Sequence, residues 1–247
     1  MIIAVSGKGG TGKTVVASFL VKILSKEGDL LAIDADPDAN LADTLGIETK
    51  KTIGTVREEL MRDRDKLPPT QSWRQKLEYD VMGATIETDT FDLLVMGRPE
   101  GQGCYCPLNH VLREIIDTVA KNYDFVIIDA EAGLEHLSRR TTQDVDVMLV
   151  VTDPSKRGVT TAQRIKELAE HLEINFKGLY LIANRTTKES EKKMSDYAKE
   201  VGLEVIGTIP EDEKVRKFDF EGRPLIEIED SKALNAVEKI VKKLVKQ

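Results

Sequence analysis

The fold is decided by the stretch Gly7-Lys8-Gly9-Gly10-Thr11-Gly12-Lys13-Thr14. It follows the apolar run Met1–Val5 and precedes Val15–Lys26, which has helical periodicity. A strand, a glycine-rich turn and a helix N-terminus form a polyphosphate cradle, because glycines let backbone N–H groups approach the phosphate oxygens and the helix dipole attracts anions. In this motif Lys13 reaches the β- and γ-phosphates and the Thr14 hydroxyl binds Mg²⁺. The sequence therefore predicts a nucleoside triphosphate with Mg²⁺, contacted by Gly9, Gly10, Thr11, Gly12, Lys13 and Thr14.

Short apolar runs alternate with amphipathic stretches along the rest of the chain. Runs that are almost continuously apolar are typical of parallel strands covered on both faces, and the alternation predicts a doubly wound sheet. The expected strands are Met1–Val5, Leu30–Ile33, Leu93–Met96, Phe125–Ile128, Val147–Val151, Leu179–Ile182 and Val205–Ile209. The expected helices are Val15–Lys26, Pro107–Lys121, Thr160–His171, Glu189–Val201 and Lys232–Lys246. We expect one α/β domain over residues 1–247, with a mostly parallel sheet between two helical layers.

The composition argues against several classes of protein. The net charge of -7, from 36 basic and 43 acidic residues, argues against nucleic acid as the main partner. No apolar run approaches the length of a membrane span, and a strand follows Met1 without a secretory signal. Two cysteines do not form a disulfide framework. We expect a cytoplasmic protein.

Two segments have less distinct patterns. Thr49–Asp80 is highly charged and contains Trp73, the single tryptophan of the chain. We expect one or two surface helices there, either as a solvated face or as a docking surface for a partner. The Lys232–Lys246 helix has one apolar stripe and no aromatic residue, which favours packing on the sheet over binding to a membrane.

Acidic residues follow two of the expected strands. The segment Asp34-Ala35-Asp36-Pro37-Asp38-Ala39-Asn40 comes directly after one of them. Residues past the carboxyl end of a parallel strand face the ligand crevice, so Asp36 could orient the water that attacks a γ-phosphate, although a plain turn has the same composition. Asp129 ends the run Phe125–Asp129, which is the usual place for a carboxylate beside Mg²⁺.

Both cysteines lie in the segment Gly103-Cys104-Tyr105-Cys106-Pro107. Thiols at i and i+2 do not readily bridge each other, but they can bind one soft metal ion, and a helix N-terminus favours the thiolate form. Two ligands leave a four-coordinate site half filled, and a symmetric dimer with both pairs at its axis would supply four thiolates. The alternative is that each cysteine is a small buried apolar residue. Thiolates alone do not distinguish Zn²⁺ from Ni²⁺.

The complete pattern resembles the class of ATPases that includes MinD, ParA and the nitrogenase iron protein. Its elements are the second lysine of the loop, Lys8, the pair Asp34-x-Asp36-Pro37, and Asp129-x-x-x-Gly133. The resemblance covers nearly the whole chain. It implies that Lys8 reaches the ATP of the partner subunit, that Asp36 rather than Asp34 serves the attacking water, and that Asp129 supports Mg²⁺. It further implies that Asn184 contacts adenine and that the loop Ile209-Pro210-Glu211-Asp212 closes over the base.

Within that class, Gly103-Cys104-x-Cys106 and the segment Asp129–His136 resemble the nickel-handling ATPases that mature carbon monoxide dehydrogenase. The resemblance implies an ATP-hydrolysing metallochaperone that binds nickel or zinc at a homodimer interface through Cys104 and Cys106. His136 stands where the nitrogenase iron protein has its second cluster cysteine, which argues against a redox protein with a shared iron–sulfur cluster. His136 is either a further ligand or, as we favour, a supporting or packing residue. The alternative function is a positioning or partition switch without a metal.

Overall fold

A computed structural model describes residues 1–36, 38, 40–63, 68, 72–97, 106–130, 145–171 and 176–245. For residues 106–110, 112–113 and 169–170 it describes the backbone alone. The architecture of this part is an eight-stranded sheet between two helical layers. The expected α/β doubly wound fold is therefore confirmed.

The sheet has the strand order β3-β4-β2-β5-β1-β6-β7-β8. Its strands are β1 (Ile2–Ser6), β2 (Leu30–Asp34), β3 (Ile86–Glu87), β4 (Asp92–Val95), β5 (Phe125–Asp129), β6 (Val147–Thr152), β7 (Gly178–Thr186) and β8 (Glu204–Pro210). Every pairing is parallel except that of β3 with β4. Because β1 lies between β5 and β6, its carboxyl end is at the centre of the edge where such sheets bind ligands.

Helices connect most of these strands. They are α1 (Lys13–Leu24), α2 (Asn40–Leu45), α3 (Ile53–Asp63), α4 (Trp73–Ala84), α5 (Cys106–Ala120), α6 (Lys156–His171), α7 (Lys188–Glu200), α8 (Glu213–Phe220) and α9 (Lys232–Leu244), with a 3₁₀ turn at Leu225–Glu227. Several begin at side-chain caps: Ser72, Thr187 and Ser231 each accept a backbone N–H of the first turn.

Two hydrophobic clusters lie on opposite faces of the sheet. Along β1, Ile3 and Val5 face one cluster while Ala4 faces the other, as the two-residue repeat of a strand requires. Helices α1, α2 and α9 cover the first face, and α3 to α7 cover the second. Continuous apolar strands are therefore buried on both sides, which is why their sequences show no polar alternation.

The seven expected strands and five expected helices are all present, with shifts of a few residues at their ends. The apolar stripe of α9 packs against the sheet as expected, through Leu234, Val237, Ile240, Val241 and Leu244. The Thr49–Asp80 segment contains α3 and the first part of α4. The strand β3 and the helices α2 and α8 were not predicted from the sequence.

Candidate functional site

The glycine-rich loop between β1 and α1 is shaped by two close approaches. Gly7 has φ +147°, and a Cβ built on it would lie 2.1 Å from the Val151 carbonyl oxygen of β6. Gly12 has φ +89°, and its Cβ would lie 2.3 Å from the Asn184 side-chain nitrogen of β7. Because neither position has room for a side chain, these glycines are required by packing as well as by backbone conformation.

Replacing Gly7 with Ala is expected to destabilise the protein by about 3 kcal/mol, because backbone strain and the clash with a fixed carbonyl add. Urea unfolding would measure the loss. Gly9→Ala is the matched control, since nothing lies within 4 Å of a Cβ at Gly9, and its effect should stay within about 0.5 kcal/mol. Equal effects of the two substitutions would contradict the proposed packing of the loop against β6.

Lys13 and Thr14 are the first two residues of α1, at its positive dipole end. Lys13 is 6% exposed and Thr14 is half-buried, and both line a cleft of about 510 Å³. The Ser18 hydroxyl donates to the Thr14 carbonyl oxygen at 2.8 Å, which braces this turn of the helix. The cleft is also lined by Gly9, Gly10, Gly12, Val15, Asp36, Asp38, Asn40, Asp43, Thr44, Arg185, Asp219, Gly222, Arg223 and Leu225.

Two buried carboxylates end neighbouring strands beside the loop. Asp34 of β2 and Asp129 of β5 are register partners, and both are 0% exposed. Neither Asp129 oxygen has a hydrogen-bond partner in the described part of the chain. Burial raises the pKa of Asp129 to about 7; Thr14 and Lys13 oppose the rise, and Asp34 adds to it. The Thr14 hydroxyl is close enough to affect this pKa but does not complete a hydrogen bond.

Asp34, in contrast, is bonded to the backbone of the next segment. Its Oδ1 accepts the Asp36 N–H at 3.3 Å, and its Oδ2 accepts the Leu41 N–H at 2.9 Å, near the start of α2. Burial raises its pKa to about 6, against these backbone hydrogen bonds. Asp34 thereby fixes the segment that carries Asp36, whose half-buried side chain lines the cleft.

The Asp129 oxygens, which have no hydrogen-bond partner in the described part, indicate whether a divalent cation would fit beside them. A buried carboxylate without a partner is costly, and a cation beside it removes the cost. Hard oxygen ligands such as a carboxylate and a threonine hydroxyl are those that Mg²⁺ prefers. The residues Asp129 and Thr14 therefore fit a magnesium ion.

The residues expected at the base lie in different surroundings. Asn184 is 7% exposed and does not line the cleft; its Nδ2 donates to the Thr11 carbonyl at 2.8 Å, and its Oδ1 accepts the Arg185 N–H. Pro210 ends β8, and Glu211 is exposed, 3.9 Å from Arg216. Neither of these two residues lines the cleft. The adenine contacts of Asn184, Pro210 and Glu211 stay predictions.

Three residues are expected at the dimer interface. Of these, Lys8 lies away from the cleft, while Cys104 and the Cys106 side chain lie outside the described residues. Lys8 is exposed and does not line the cleft. Cys106 begins α5, but its side chain, like the whole of Cys104 and residues 131–144, lies outside the described part. Among the described residues no group of three or more His, Cys, Asp or Glu side chains could hold a metal ion. The binding of nickel or zinc by Cys104 and Cys106 stays a prediction.

Part of the cleft wall was not predicted from the sequence. Arg185, Asp219 and Arg223 line it. The Arg223 guanidinium lies 4.0 Å from the centre of the Phe218 ring, just after α8. Gly222, which has a left-handed φ of +63°, could have indicated the end of α8 in the sequence, because glycine is common just after a helix. No feature of the sequence indicated that Arg185 lines the cleft.

Comparison with known sequences identifies relatives over almost the whole chain. An uncharacterized ATP-binding protein of Methanocaldococcus jannaschii is 51% identical over 249 residues, which cover 99% of this chain and 98% of the relative. The carbon monoxide dehydrogenase accessory protein CooC of Rhodospirillum rubrum is 34% identical over 235 residues, or 90% of this chain and 88% of the relative.

Solved structures show the same fold at low identity. The MinD cell division protein of Aquifex aeolicus superposes with a TM-score of 0.71 at 23% identity, covering 100% of this chain and 96% of that protein. A putative plasmid partition protein of Borrelia burgdorferi bound to AMPPNP gives a TM-score of 0.71 at 20% identity, covering 99% and 98%.

None of the helices in the described part of the chain is both long enough and apolar enough to cross a bilayer. The family described as the CobQ/CobB/MinD/ParA nucleotide binding domain matches residues 2–225. With its phosphate loop at the central strand, its paired carboxylates and these relatives, the chain belongs to the CobQ/CobB/MinD/ParA family of nucleotide-binding P-loop proteins.

Proposed function

We propose that this protein is an ATP-hydrolysing metallochaperone that binds nickel (or zinc) and uses ATP to mature carbon monoxide dehydrogenase by delivering nickel. One observation carries the proposal: the sequence has a C-x-C pair, Cys104 and Cys106, of which Cys106 begins α5, and the chain is 34% identical to a carbon monoxide dehydrogenase accessory protein. The charge of -7 and the buried stripe of α9 speak against a positioning switch that binds DNA or lipid.

The proposed nucleotide site uses the residues around the loop. Backbone N–H groups of Gly9, Gly10 and Gly12 and the amine of Lys13 bind the phosphates. The Thr11 N–H donates to the Lys8 carbonyl oxygen at 3.3 Å and joins them by giving up that long hydrogen bond. Thr14 and Asp129 hold Mg²⁺, which when bound neutralises charge on the phosphates. Asp36 orients the attacking water, because it lines the cleft while both Asp34 oxygens accept backbone N–H groups.

The proposed coupling depends on a homodimer. ATP brings two subunits together, and each Lys8 contacts the nucleotide bound to the other subunit. The same closure assembles Cys104 and Cys106 of both subunits into one four-thiolate site for the metal that is delivered. Hydrolysis loosens the dimer and the metal site together, so that metal release to the dehydrogenase follows turnover.

The test is a titration of Ni²⁺ and Zn²⁺ into wild type and Cys104→Ser/Cys106→Ser protein, with ADP and with a non-hydrolysable ATP analogue. We expect wild type to bind one ion per dimer, most tightly with the analogue. The double variant should lose at least about 100-fold in affinity, because even changes around metal ligands cost roughly 10–100-fold. Light scattering would follow the oligomeric state in the same samples.

The double variant should keep the wild-type melting temperature and ATP affinity, which separates loss of metal ligands from misfolding. Stoichiometric metal binding by the variant at wild-type affinity would overturn the proposal. ATP-dependent co-sedimentation with DNA or liposomes, unaffected by the cysteine substitutions, would favour the positioning switch.

A further inference from the structure

The backbone of Arg185 is bent out of its strand. Its φ of +56° is the one left-handed value found at a non-glycine residue in the described ranges. The pairing of β7 with β8 shifts register at the same place, between Asn184 and Thr186. An arginine in this conformation costs free energy, since its Cβ crowds the backbone, and such strain is commonly retained where a side chain has a specific task.

The bend directs two consecutive side chains to the phosphate loop. Arg185 Nη1 donates to the Gly10 carbonyl oxygen at 3.2 Å, and Asn184 Nδ2 donates to the Thr11 carbonyl oxygen at 2.8 Å. Because the C=O and N–H groups of a trans peptide point in opposite directions, holding the Thr11 carbonyl turns the Gly12 N–H away from β7. The loop is thus held through its carbonyls, which leaves for an anion its N–H groups other than that of Thr11, which donates to the Lys8 carbonyl oxygen at 3.3 Å.

The Arg185 side chain is exposed and lines the same cleft as Lys13. One of its five N–H groups is used on Gly10, and no described carboxylate lies within ion-pair distance of it. A guanidinium in this position has donors and charge available for phosphate oxygens.

We propose that Arg185 binds the polyphosphate of the nucleotide and at the same time positions the phosphate loop through the Gly10 carbonyl. The proposal rests on the cleft being the ATP site of the proposed function, and it adds a cation from β7 to the loop's own lysines. The contact proposed for Arg185 is with phosphate oxygens, so a polyphosphate that lacks base and ribose should make it as well.

The test uses Arg185→Asn and Arg185→Gly, because both residues adopt the left-handed conformation with less strain and so isolate the guanidinium. Affinities for ATP, ADP and sodium tripolyphosphate would be measured by calorimetry. We expect each to weaken about 10-fold in both variants, as for loss of a charged hydrogen bond. Because strain is removed, the melting temperature of Arg185→Gly should equal or exceed that of wild type.

Arg164→Ala is the matched control, since it removes an equal charge from an exposed position on α6, and it should bind all three ligands as wild type does. Wild-type affinity in both Arg185 variants, or weakening that only accompanies a lower melting temperature, would overturn the proposal. If wild type itself bound neither ATP nor tripolyphosphate, the proposed function would fail instead. Metal binding by Cys104 and Cys106 is measured in the separate titration of Ni²⁺ and Zn²⁺, so its result does not decide the role of Arg185.

Discussion

Replacing Asp129 with Asn is expected to stabilise the nucleotide-free protein while removing most of the ATP hydrolysis that we propose for it. The stabilisation follows from burial: the Asp129 carboxylate is 0% exposed, lacks a hydrogen-bond partner in the described part, and pairs in register with Asp34. Removing the charge removes the cost of desolvating it and the repulsion between the two acids. The gain at neutral pH should be on the order of a few kcal/mol.

The pH dependence has a definite sign. Folding raises the pKa of Asp129 from 3.8 to about 7, so the folded protein retains a proton that the unfolded chain releases above pH 3.8. Wild type therefore loses stability as the pH rises from about 4 to about 7, and the loss is complete above the folded pKa. Asp34, with its pKa raised to about 6, acts in the same direction. Lys13 opposes the Asp129 shift and Asp36 adds to it.

Melting temperatures between pH 4 and pH 8, in EDTA and without nucleotide, would measure this slope. Asp129→Asn should flatten it. Asp146→Asn is the opposite control. Burial acts to raise the pKa of Asp146, but the carboxylate accepts the Ile2 N–H at 2.7 Å and contacts Lys177 at 2.8 Å, and together these groups hold the pKa below its usual value. Its substitution should destabilise the protein at neutral pH. An Asp129→Asn profile parallel to that of wild type would contradict the explanation.

The loss of activity tests the proposed role of Asp129 in ATP hydrolysis. If Asp129 supports the cation of the ATP site, Asp129→Asn should lower kcat by about 10³, as removal of a fixed electrostatic group does. A steady-state phosphate-release assay over a range of Mg²⁺ concentrations would show it. Unchanged activity in a more stable variant would exclude Asp129 from the site.

Most of the sheet was predictable because parallel strands that are buried on both faces consist of consecutive apolar residues. Phe125–Asp129 and Val147–Thr152 are of this kind. The strand β3 has two residues, and α2 has six. Elements so short do not complete enough periods for a pattern to be recognised, and tertiary contacts determine them.

The candidate site, like the sheet, was predictable from the sequence only in part. The phosphate loop was predictable because its glycines, lysine and threonine follow from local chemistry. The pairing of Asp34 with Asp129 was not, because it depends on β2 and β5 being neighbours although about ninety residues separate them in sequence. The bend at Arg185 was equally hidden, since arginine is not a residue that favours left-handed backbone.

Lys8→Ala is expected to keep nucleotide affinity but to lower kcat by about 10³, the lower end of what a cation supplied by a partner contributes. Lys13→Ala should instead lose nucleotide affinity, because Lys13 is buried in the cleft wall while Lys8 is exposed and outside it. Lys26→Ala, an exposed lysine just beyond α1, is the control and should change neither quantity. Phosphate release and calorimetric ATP binding would give both measurements.

Mixing the two inactive variants decides whether Lys8 acts on the partner's nucleotide. In a mixed dimer, the Lys8→Ala subunit has its own Lys13 and receives Lys8 from the Lys13→Ala subunit, so one of the two sites is complete. An equal mixture should therefore regain up to about a quarter of wild-type activity, since half of the dimers are mixed and each has one complete site. If Lys8 served its own subunit, neither variant could complete the other, and the mixture would stay inactive even where light scattering shows dimers.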